Sequence, residues 1–454
     1  MCGIVGVYNK DQAAVLAANA MFAEQHRGQE SCGIAVSDGK IIRLRKRMGL
    51  VRDVFNPEEL EKLPGHIAIG HVRYPTRGTS TEFNSQPHLV ETLAGPCYSL
   101  ASNGDIINYH EMRHILENKG VYFVSSNDGE LILKYIIYKV EIEKMSIIDA
   151  IKCCMKEIKG AYSTVLATRY ELYIFRDPYG FRPLSIGKTA DDSFVVASET
   201  CALDIVQAKF ISCVNPAEII VINDKGIRHI DNNPNDYRVI DYPQHCIFEH
   251  IYFSRPDSYQ FQEDVFNVRE KIGAKLAQLD HDFHPDLVVP VPDSSNFIAS
   301  GYAKYKNMPV TFGLIRNHYV GRTFIRADQA TRDEAVIHKY NILPHTFEDK
   351  IVVLIDDSII RGTTIKKIID IILKAGAKEV HLRLGSPEVK HCCFYGIDTP
   401  NKSDFIANRM TKDEIAEEYN LTSLKHISLE NLLECVSKPN NYCTTCFSGK
   451  YIVT

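Results

Sequence analysis

The sequence lacks any apolar run near the ~20 residues that a membrane-spanning helix needs. Its first residues lack the basic region and cleavage site of a secretory signal peptide, so we expect a cytoplasmic protein with no membrane partner. The formal net charge is only -5, which offers no electrostatic footprint for nucleic acid. Repeats, coiled-coil heptads and low-complexity stretches are also missing. The 454 residues therefore suggest an ordinary globular protein of two or three domains.

Cysteine, by contrast, occurs 13 times. A chain of this length does not need a disulfide scaffold, and a reducing cytosol disfavours disulfides. Most of these cysteines are therefore expected to be small, buried hydrophobic residues. Those with special spacing are candidates for catalysis or metal binding.

Two patterns of apolar residues divide the chain. Up to about residue 235, short apolar runs broken by Gly, Asn and Pro indicate antiparallel sheets with helices packed outside. Helices are expected at Ala13–Gln25, Glu130–Val140 and Ser146–Ile158. From about residue 245, continuous apolar strands alternate with helices, which indicates a parallel sheet covered on both faces. We predict domains at 1–235 and 245–454, separated by the polar, proline-containing segment Asp231–Gln244.

The chain begins Met1-Cys2-Gly3 and continues at once into a strand-like apolar run. If Met1 is removed, the Cys2 thiol lies beside a free α-amine, whose pKa is ordinarily about 8. A base of that strength next to a nucleophile is the chemistry of N-terminal nucleophile enzymes. An isolated cysteine near a chain end is more often a buried structural residue, so this interpretation depends on the motifs that accompany it.

Three further stretches carry groups that suit a free amino acid as substrate. The fork of Arg73 can hold a carboxylate, and Asp128 can pair with an ammonium group. Asn103 and Gly104 offer a side-chain amide and a backbone N–H to a developing oxyanion. Each has an ordinary structural explanation when taken alone, as a surface ion pair, a helix cap or a hairpin turn. Together they indicate a pocket for an amino acid whose side-chain carbonyl is attacked by Cys2.

The ordered set of motifs resembles the class II glutamine amidotransferase domain. The matching stretches are CGI (2–4), HRGQES (26–31), HVRYPT (71–76), NGDIIN (103–108) and the loop around Asp128. This resemblance implies that the substrate is glutamine and that the domain is an N-terminal nucleophile αββα sandwich. It also implies that Asn103 and Gly104 are the oxyanion donors.

A second motif, IVVLIDDSIIRGTTIKK, occupies residues 351–367. An apolar strand ends in Asp356 and Asp357, and a loop of small residues leads into a helix. Backbone N–H groups and hydroxyls at a helix N-terminus bind phosphate. The two carboxylates lie where a ribose diol would sit, at the carboxyl end of a parallel strand. A structural turn with capping hydroxyls does not explain paired acids before such a loop.

This stretch resembles the motif that binds phosphoribosyl pyrophosphate (PRPP) in type I phosphoribosyltransferases. The resemblance implies a doubly wound parallel-sheet domain. The substrate contacts that it implies are Asp356, Asp357, Ser358, Arg361, Gly362, Thr363 and Thr364.

Two more stretches fit the same resemblance. VVPVPDSSNFIASGYA (288–303) is expected to form a strand, a pyrophosphate loop and a helix, with Ser295 where the family usually has glycine. IRNHYVGRTFI (315–325) looks like a lid, in which Arg316 and Arg322 hold the leaving group. PRPP normally arrives with Mg²⁺, which prefers phosphate and hydroxyl oxygens to a full protein cage. The expected protein contacts of this ion are Ser295, Asp356 and Asp357.

The two halves together resemble the family of glutamine PRPP amidotransferases over nearly the whole chain. That resemblance implies glutamine-dependent amination of PRPP to 5-phosphoribosylamine, with release of glutamate and pyrophosphate, as the first step of purine nucleotide synthesis. It also implies a homotetramer and feedback inhibition by purine nucleotides. Ammonia is mostly protonated at neutral pH, so we infer a dry channel between the two sites.

Two rival functions share some of these features. A sugar-isomerising aminating enzyme would have the same N-terminal half, but the loop at Asp356–Thr364 argues against it. A PRPP-sensing regulator without catalysis would tend to carry a DNA-binding module, and no basic helix-turn-helix pattern occurs in the sequence. The complete Cys2 set of motifs also argues against a regulator.

Four cysteines remain to be explained. The C-x-x-C of Cys443 and Cys446 is by itself compatible with zinc, with a redox pair or with no function. Iron–sulfur members of the family have ligands in the segments of Cys246 and of Cys392-Cys393, and four thiolates suit a [4Fe–4S] cluster. Neighbours on an extended strand point to opposite faces, so we expect one of this pair to bind, and the resemblance of the CFYGID stretch selects Cys393.

Overall fold

The computed structural model describes residues 1–75, 78–93, 95–230, 242–317, 340–399 and 401–453. The strands of the N-terminal half are β1 (Gly3–Tyr8), β2 (Ser31–Ser37), β3 (Ile42–Met48), β4 (Ile67–Arg73), β5 (His88–Thr92), β6 (Gly95–Ile106), β7 (Gly160–Ala167), β8 (Leu172–Arg176), β9 (Ser185–Lys188), β10 (Phe194–Ala197), β11 (Lys209–Cys213), β12 (Ile219–Asn223) and β13 (Gly226–Ile230). They form two antiparallel sheets, in the orders β11-β9-β10-β1-β4-β2-β3 and β13-β12-β8-β7-β6-β5.

The two sheets lie face to face. Ile4 and Ile69 of the seven-stranded sheet pack against Val165 and Ile174 of the six-stranded sheet in one buried cluster. Since alternate residues of a strand point to opposite faces, each sheet has a second apolar face that must also be covered.

Helices cover those outer faces. They are α1 (Ala13–Ala23), α2 (Val51–Val54), α3 (Pro57–Glu61), α4 (Tyr109–Asn118), α5 (Asp128–Glu141), α6 (Ile147–Glu157) and α7 (Thr200–Ile205). α1 packs on the seven-stranded sheet, and α4 to α6 pack on the six-stranded sheet. The predicted αββα sandwich is confirmed.

The C-terminal half is built on a parallel sheet. The strands of this half are β14 (His245–Cys246), β15 (Tyr259–Gln260), β16 (Glu263–Asp264), β17 (Leu287–Pro290), β18 (Leu314–Arg316), β19 (Tyr340–Ile342), β20 (Ile351–Asp356), β21 (Glu379–Leu384), β22 (Ser423–His426) and β23 (Tyr442–Cys443). Its helices are α8 (Val265–Gln278), α9 (Asn296–Lys306), α10 (Thr363–Lys374), α11 (Ile406–Arg409), α12 (Lys412–Glu418), α13 (Leu429–Leu433) and α14 (Thr445–Ser448).

The central sheet has the order β17-β20-β21-β22, and every pair in it is parallel. Residues of α8 and α9 pack on one face of this sheet, and residues of α10 pack on the other. The predicted doubly wound α/β arrangement is confirmed. It places the carboxyl ends of β17 and β20 side by side, which is where ligands bind in such sheets.

The two halves are joined closely. Residues 231–241 of the predicted boundary segment lie outside the described residues. Immediately after them, Gln244 N–H donates to the Tyr179 carbonyl at 2.8 Å and Cys246 N–H to the Phe181 carbonyl at 3.1 Å. The C-terminal half thus begins by hydrogen bonding to the N-terminal half. Within the described ranges, no helix combines the length and apolar character that a membrane crossing requires.

Candidate active sites

Cys2 lies immediately before β1, the middle strand of the seven-stranded sheet. Its N–H donates to Asn103 Oδ1 at 3.2 Å and its thiol to the Tyr74 carbonyl at 3.5 Å. Arg27 Nε donates to the Cys2 carbonyl at 2.9 Å. Three segments that are distant in sequence therefore hold this one residue, which explains why the end of the chain is buried rather than frayed.

Asn103 is fully buried on β6. While its Oδ1 accepts from Cys2, its Nδ2 has no hydrogen-bond partner among the described residues. A buried donor without a partner costs about 1–3 kcal/mol, so such a group calls for an explanation. An oxyanion site needs a hydrogen-bond donor that is fixed beside the nucleophile and is not already bonded to another acceptor.

Gly104 follows on the same strand, where no other residue fits. A Cβ at this position would lie 1.8 Å from the carbonyl oxygen of Ala161 on β7. The close approach of β6 and β7 therefore requires glycine at this predicted oxyanion donor.

Arg73 ends β4 next to Cys2, because β4 pairs with β1 with Val72 opposite Gly3. The Arg73 side chain is buried, and its Nη1 donates to Glu30 Oε2 at 2.5 Å. This partner was not predicted from the sequence, although Glu30 lies within the HRGQES stretch. The ion pair fixes the direction of the guanidinium fork, as recognition of a carboxylate requires.

Asp128 begins α5 and is buried near the same thiol. With Met1 in place, burial raises the pKa of the Cys2 thiol. The amine of Met1, the Tyr74 carbonyl and Arg73 lower this pKa, and Asp128 raises it. The thiol, the cation of Arg73 and the anion of Asp128 therefore lie close enough to act on one another. Because the balance leaves the thiol protonated at neutral pH, attack by Cys2 requires a base.

A buried ionic network lies behind Cys2. Arg27 donates to both carboxylate oxygens of Glu249, at 2.9 and 3.0 Å, and also to Glu199. Burial opposes ionisation of Glu249, but Arg27 outweighs it, so the pKa of this carboxyl lies below its usual value. Glu249 begins a single π-helical turn, Glu249–Phe253, in the C-terminal half. Arg27 thus connects the nucleophile to the other domain, a role that the sequence did not reveal.

Glu24 lies beside this network and yields a prediction about pH. Its side chain is fully buried, and burial raises its pKa well above the usual value. A carboxyl group with a raised pKa in the folded state contributes stability below its unfolded pKa of about 4.3 and loses it as pH rises. Glu24→Gln cannot ionise, so its free energy of unfolding should exceed that of the parent by an amount that grows with pH, by at most about 1.4 kcal/mol per unit.

The check is urea unfolding of parent and variant near pH 5 and near pH 8, within the range where proteins of this kind are usually most stable. The Glu199 N–H that now donates to Glu24 Oε1 at 2.7 Å can donate equally to the glutamine oxygen. A variant destabilised to the same extent at both pH values would show that Glu24 is ionised in the fold.

The second site lies at the carboxyl end of β20. Asp356 ends the strand and accepts the Asp357 N–H at 2.9 Å. Ser294 and Ser358 each donate a hydroxyl to Asp357 at 2.6 Å. Burial raises the pKa of Asp357, and these hydroxyls and Arg269 oppose that rise. The acid pair and the loop after β17 therefore meet, as the parallel sheet predicts.

The loop continues to the start of α10. Arg361 is exposed, with its guanidinium 3.9 Å from Asp404, and Thr363 and Thr364 form the first turn of the helix. Gly362 caps the helix with φ +83°, a left-handed conformation that glycine adopts without strain. The hydroxyls and N–H groups of this segment are thus gathered at a helix N-terminus, where phosphate binds.

Gly362 allows a matched test of this loop. A Cβ there would lie 2.2 Å from the Tyr419 hydroxyl, whereas at Gly376, with a similar φ of +89°, the nearest atom would be 3.5 Å away. Gly362→Ala should lower PRPP amination with ammonium salt on the order of 100-fold, because the phosphate loop must shift. Gly376→Ala carries the same backbone strain and should keep the parental rate. Equal rates for the two variants would contradict a phosphate role for this loop.

Three other residues were predicted to contact PRPP or its magnesium ion, namely Ser295, Arg316 and Arg322. Ser295 is buried, and its hydroxyl donates to the Val291 carbonyl, so Ser294 rather than Ser295 contacts the acid pair. Arg316 ends β18 and pairs with Asp293 in the loop after β17. Arg322 lies outside the described residues, as does most of the predicted lid.

The four predicted cluster ligands lie near the domain junction. β14 and β23 pair in parallel with Cys246 opposite Cys443. Burial raises the pKa of Cys246 to about 11 and that of Cys443 to about 12, and a neighbouring Cys393 contributes to both. The pKa of Cys446 is raised well above its usual value by burial and then by the other three thiols. These thiols therefore influence one another, as ligands of one group would.

Two observations refine the cysteine prediction. The strand expected at Cys392-Cys393 is wrong, because residues 390–399 form an irregular loop, so the opposite-face reasoning does not apply. Within the described part of the chain, no three His, Cys, Asp or Glu side chains come close enough to hold a single metal ion. A four-iron cluster separates its ligand sulfurs by its own width and does not need such close contact.

Both halves of the chain match known protein families. The chain matches the glutamine amidotransferase domain family over residues 77–204 and the phosphoribosyl transferase domain family over residues 262–406. It is 44% identical to the amidophosphoribosyltransferase of Methanothermobacter thermautotrophicus, over 99% of this chain and 94% of that protein. The amidophosphoribosyltransferase of Methanocaldococcus jannaschii is 41% identical, over 99% and 97%.

Among solved structures, the chain resembles the glutamine PRPP amidotransferase from B. subtilis complexed with ADP and GMP. The TM-score is 0.90 and the identity 38%, with 100% of this chain and 98% of that chain covered. The phosphoribosyl transferase match separates this chain from sugar-isomerising enzymes, which share only the N-terminal half.

Proposed function

We propose a division of chemistry between two sites of this chain. The chain belongs to the amidophosphoribosyltransferase family and is an enzyme that aminates PRPP with glutamine. One site, at Cys2, releases ammonia from glutamine. The other, at Asp356–Thr364, transfers that ammonia to ribose. The observation that carries the first assignment is the buried Asn103 Nδ2, which lacks a partner among the described residues and lies on the side chain that also binds the Cys2 N–H.

In the first half-reaction, Cys2 is the nucleophile once Met1 has been removed. The freed α-amine takes the thiol proton, and sulfur attacks the side-chain carbonyl of glutamine. Asn103 Nδ2 and Gly104 N–H donate to the oxyanion. The proton passes to the leaving nitrogen, ammonia departs, and water then hydrolyses the thioester to give glutamate. Arg73 and Asp128 hold the carboxylate and the ammonium group of the substrate.

In the second half-reaction, ammonia forms a bond to ribose C1 while the bond from C1 to the pyrophosphate oxygen breaks. Asp356 and Asp357 bind the ribose diol. Ser358, Arg361, Gly362, Thr363 and Thr364 bind the 5-phosphate at the start of α10. Arg316 and Arg322 hold the leaving pyrophosphate.

Magnesium fits this site, because carboxylates and hydroxyls are the hard oxygen ligands that it prefers. The carboxylates of Asp356 and Asp357 would hold the ion together with PRPP, and the ion would neutralise charge on the departing pyrophosphate. Ser294, rather than the predicted Ser295, is the loop serine that fixes Asp357 for this role.

A [4Fe–4S] cluster fits Cys246, Cys393, Cys443 and Cys446, which are four thiols near one another at the domain junction. Their role is to fasten the C-terminal tail to the junction rather than to transfer electrons. Protein purified without oxygen should be brown with about four iron atoms per chain. Colourless, fully active protein would exclude the cluster.

Three further properties belong to the same proposal. Purine nucleotides inhibit the enzyme, in keeping with the complex of the similar B. subtilis enzyme with ADP and GMP. The active form is a homotetramer, which ultracentrifugation can test. A cytoplasmic location also stays a prediction, and some relatives from plants are named chloroplastic.

The deciding experiment measures glutamate and pyrophosphate release from glutamine plus PRPP. We expect both products, in equal amounts, only when both substrates are present. A sugar-isomerising enzyme would release glutamate without pyrophosphate, and a regulator without catalysis would release neither. Either result would overturn the proposed function.

A further inference from the structure

The C-terminal half contributes backbone that packs against the glutamine site. Gly396, with φ +99°, lies directly against Gly104. A Cβ placed on Gly396 would lie 2.9 Å from the carbonyl carbon of Gly104, 3.0 Å from its Cα and 3.1 Å from its carbonyl oxygen. Ala161 packs against Gly104 as well, with its carbonyl oxygen 1.8 Å from where a Cβ on Gly104 would be. The backbone that carries the oxyanion donor is thus enclosed by two segments, one of them from the other domain.

Tyr395 anchors this contact on the N-terminal half. Its ring stacks on Phe181, with centroids 4.3 Å apart and planes inclined by 12°. Its carbonyl accepts hydrogen bonds from Arg182, with the Nε donor at 2.8 Å. Since the Arg182 side chain is fully buried, these bonds are shielded from water. The position of Gly396 is therefore fixed by the glutamine domain itself.

The same residue is tied to the C-terminal tail. The Tyr395 N–H donates to Cys393 Sγ at 3.3 Å. Its hydroxyl accepts N–H bonds from Ile452 at 2.9 Å and Val453 at 3.1 Å. A continuous set of contacts therefore leads from the last residues of the chain, through Tyr395, to the backbone of Gly104.

We propose that Gly396 is a positioning residue for the glutamine half-reaction. Its backbone holds Gly104 so that the Gly104 N–H and the adjacent Asn103 amide meet the oxyanion together. This inference rests on the proposed function of Asn103 and Gly104. It follows that the N-terminal half is not a self-sufficient glutaminase, because one wall of its oxyanion site belongs to the C-terminal half.

The test uses a pair of glycines with the same backbone strain. Gly396→Ala places a methyl group against Gly104. Gly226→Ala, at φ +101° in the first residue of β13, has no atom within 4 Å of the new methyl group. In the full-length enzyme with PRPP present, Gly396→Ala should lower kcat for glutamate release from glutamine by about 10²- to 10³-fold, the usual effect of a lost oxyanion donor. Gly226→Ala should keep the parental kcat.

Three readouts separate positioning from general damage. The KM for glutamine should change less than about twofold in Gly396→Ala, because oxyanion donors act on the transition state. Amination of PRPP with ammonium salt should stay at the parental rate. Alkylation of Cys2 by iodoacetamide should also keep its rate, since the nucleophile is intact. A parental kcat in Gly396→Ala, or an equal loss of both activities, would overturn the inference.

If Gly396→Ala does not fold, Phe181→Leu tests the inference instead, because it removes the ring that stacks on Tyr395 without adding backbone strain. It should lower kcat for glutamine about 3- to 10-fold at constant KM, as a loosened oxyanion site predicts, and an unchanged kcat would overturn the inference. If the parent enzyme itself releases no glutamate, the proposed function fails instead, and the two failures are thereby distinguished.

Discussion

Cys2→Ala is expected to lose glutamine-dependent amination of PRPP by at least about 1,000-fold, the scale of effect seen when a nucleophile is removed. Amination with added ammonium salt should stay within about twofold of the parent, because the site at Asp356–Thr364 does not use the thiol. Both rates are measured as pyrophosphate release.

A matched control is Cys154→Ala. Cys154 is fully buried on α6 in the cluster beneath the six-stranded sheet, and burial raises its pKa, so its thiol is inert. This variant should keep both activities while losing some stability to the cavity. If Cys2→Ala lost both activities at an intact fold, the two-site scheme would be wrong.

Arg27→Met is expected to lower the free energy of unfolding by about 3–5 kcal/mol, the usual cost of breaking a buried ion pair. Arg27 and its partners Glu199 and Glu249 have fully buried side chains. Without the guanidinium, two carboxylates stay buried with less compensation. The glutamine half-reaction should also fall, because Arg27 Nε no longer holds the Cys2 carbonyl.

Lys304→Met provides the comparison, since its partner Glu270 is 2.6 Å away but the lysine side chain is 67% exposed. An exposed pair of this kind contributes at most about 1 kcal/mol. Denaturant unfolding of both variants checks the difference. Similar, small losses in the two would mean that the Arg27 network contributes little to the junction.

The sequence predicted elements whose signals are local. The helix expected at Ser146–Ile158 forms at Ile147–Glu157, because its apolar spacing and its capping Ser146 lie within the segment itself. The acid pair and the loop before α10 were found for the same reason. These motifs are short, and each carries its chemistry in consecutive residues.

The contacts that sequence analysis missed join residues far apart in the chain. Arg27 and Glu249 are 222 residues apart, and Arg182 and Tyr395 are 213 apart. Neither apolar periodicity nor a short motif encodes such a pairing. Arg27 lies in the HRGQES stretch, but its role at the junction is not visible there. A buried arginine with all its hydrogen bonds made can be identified only once the fold has brought its carboxylate or carbonyl partner to it.

The pair Cys392-Cys393 shows the limit of strand reasoning. Alternation of side chains holds only where the backbone is extended, and here the chain turns instead. Cys393 is nevertheless the thiol that influences Cys246, Cys443 and Cys446. The loop geometry that brings Cys393 near these thiols has no periodic signature in the sequence.

The most direct measurement is the intact mass of the active enzyme, taken before and after titration with a chloroketone analogue of glutamine. If the α-amine of Cys2 is the base, only molecules that have lost Met1 should gain one covalent adduct. The fraction without Met1 should then equal the fraction that is active. Stoichiometric labelling and full glutaminase activity in molecules that retain Met1 would contradict the account.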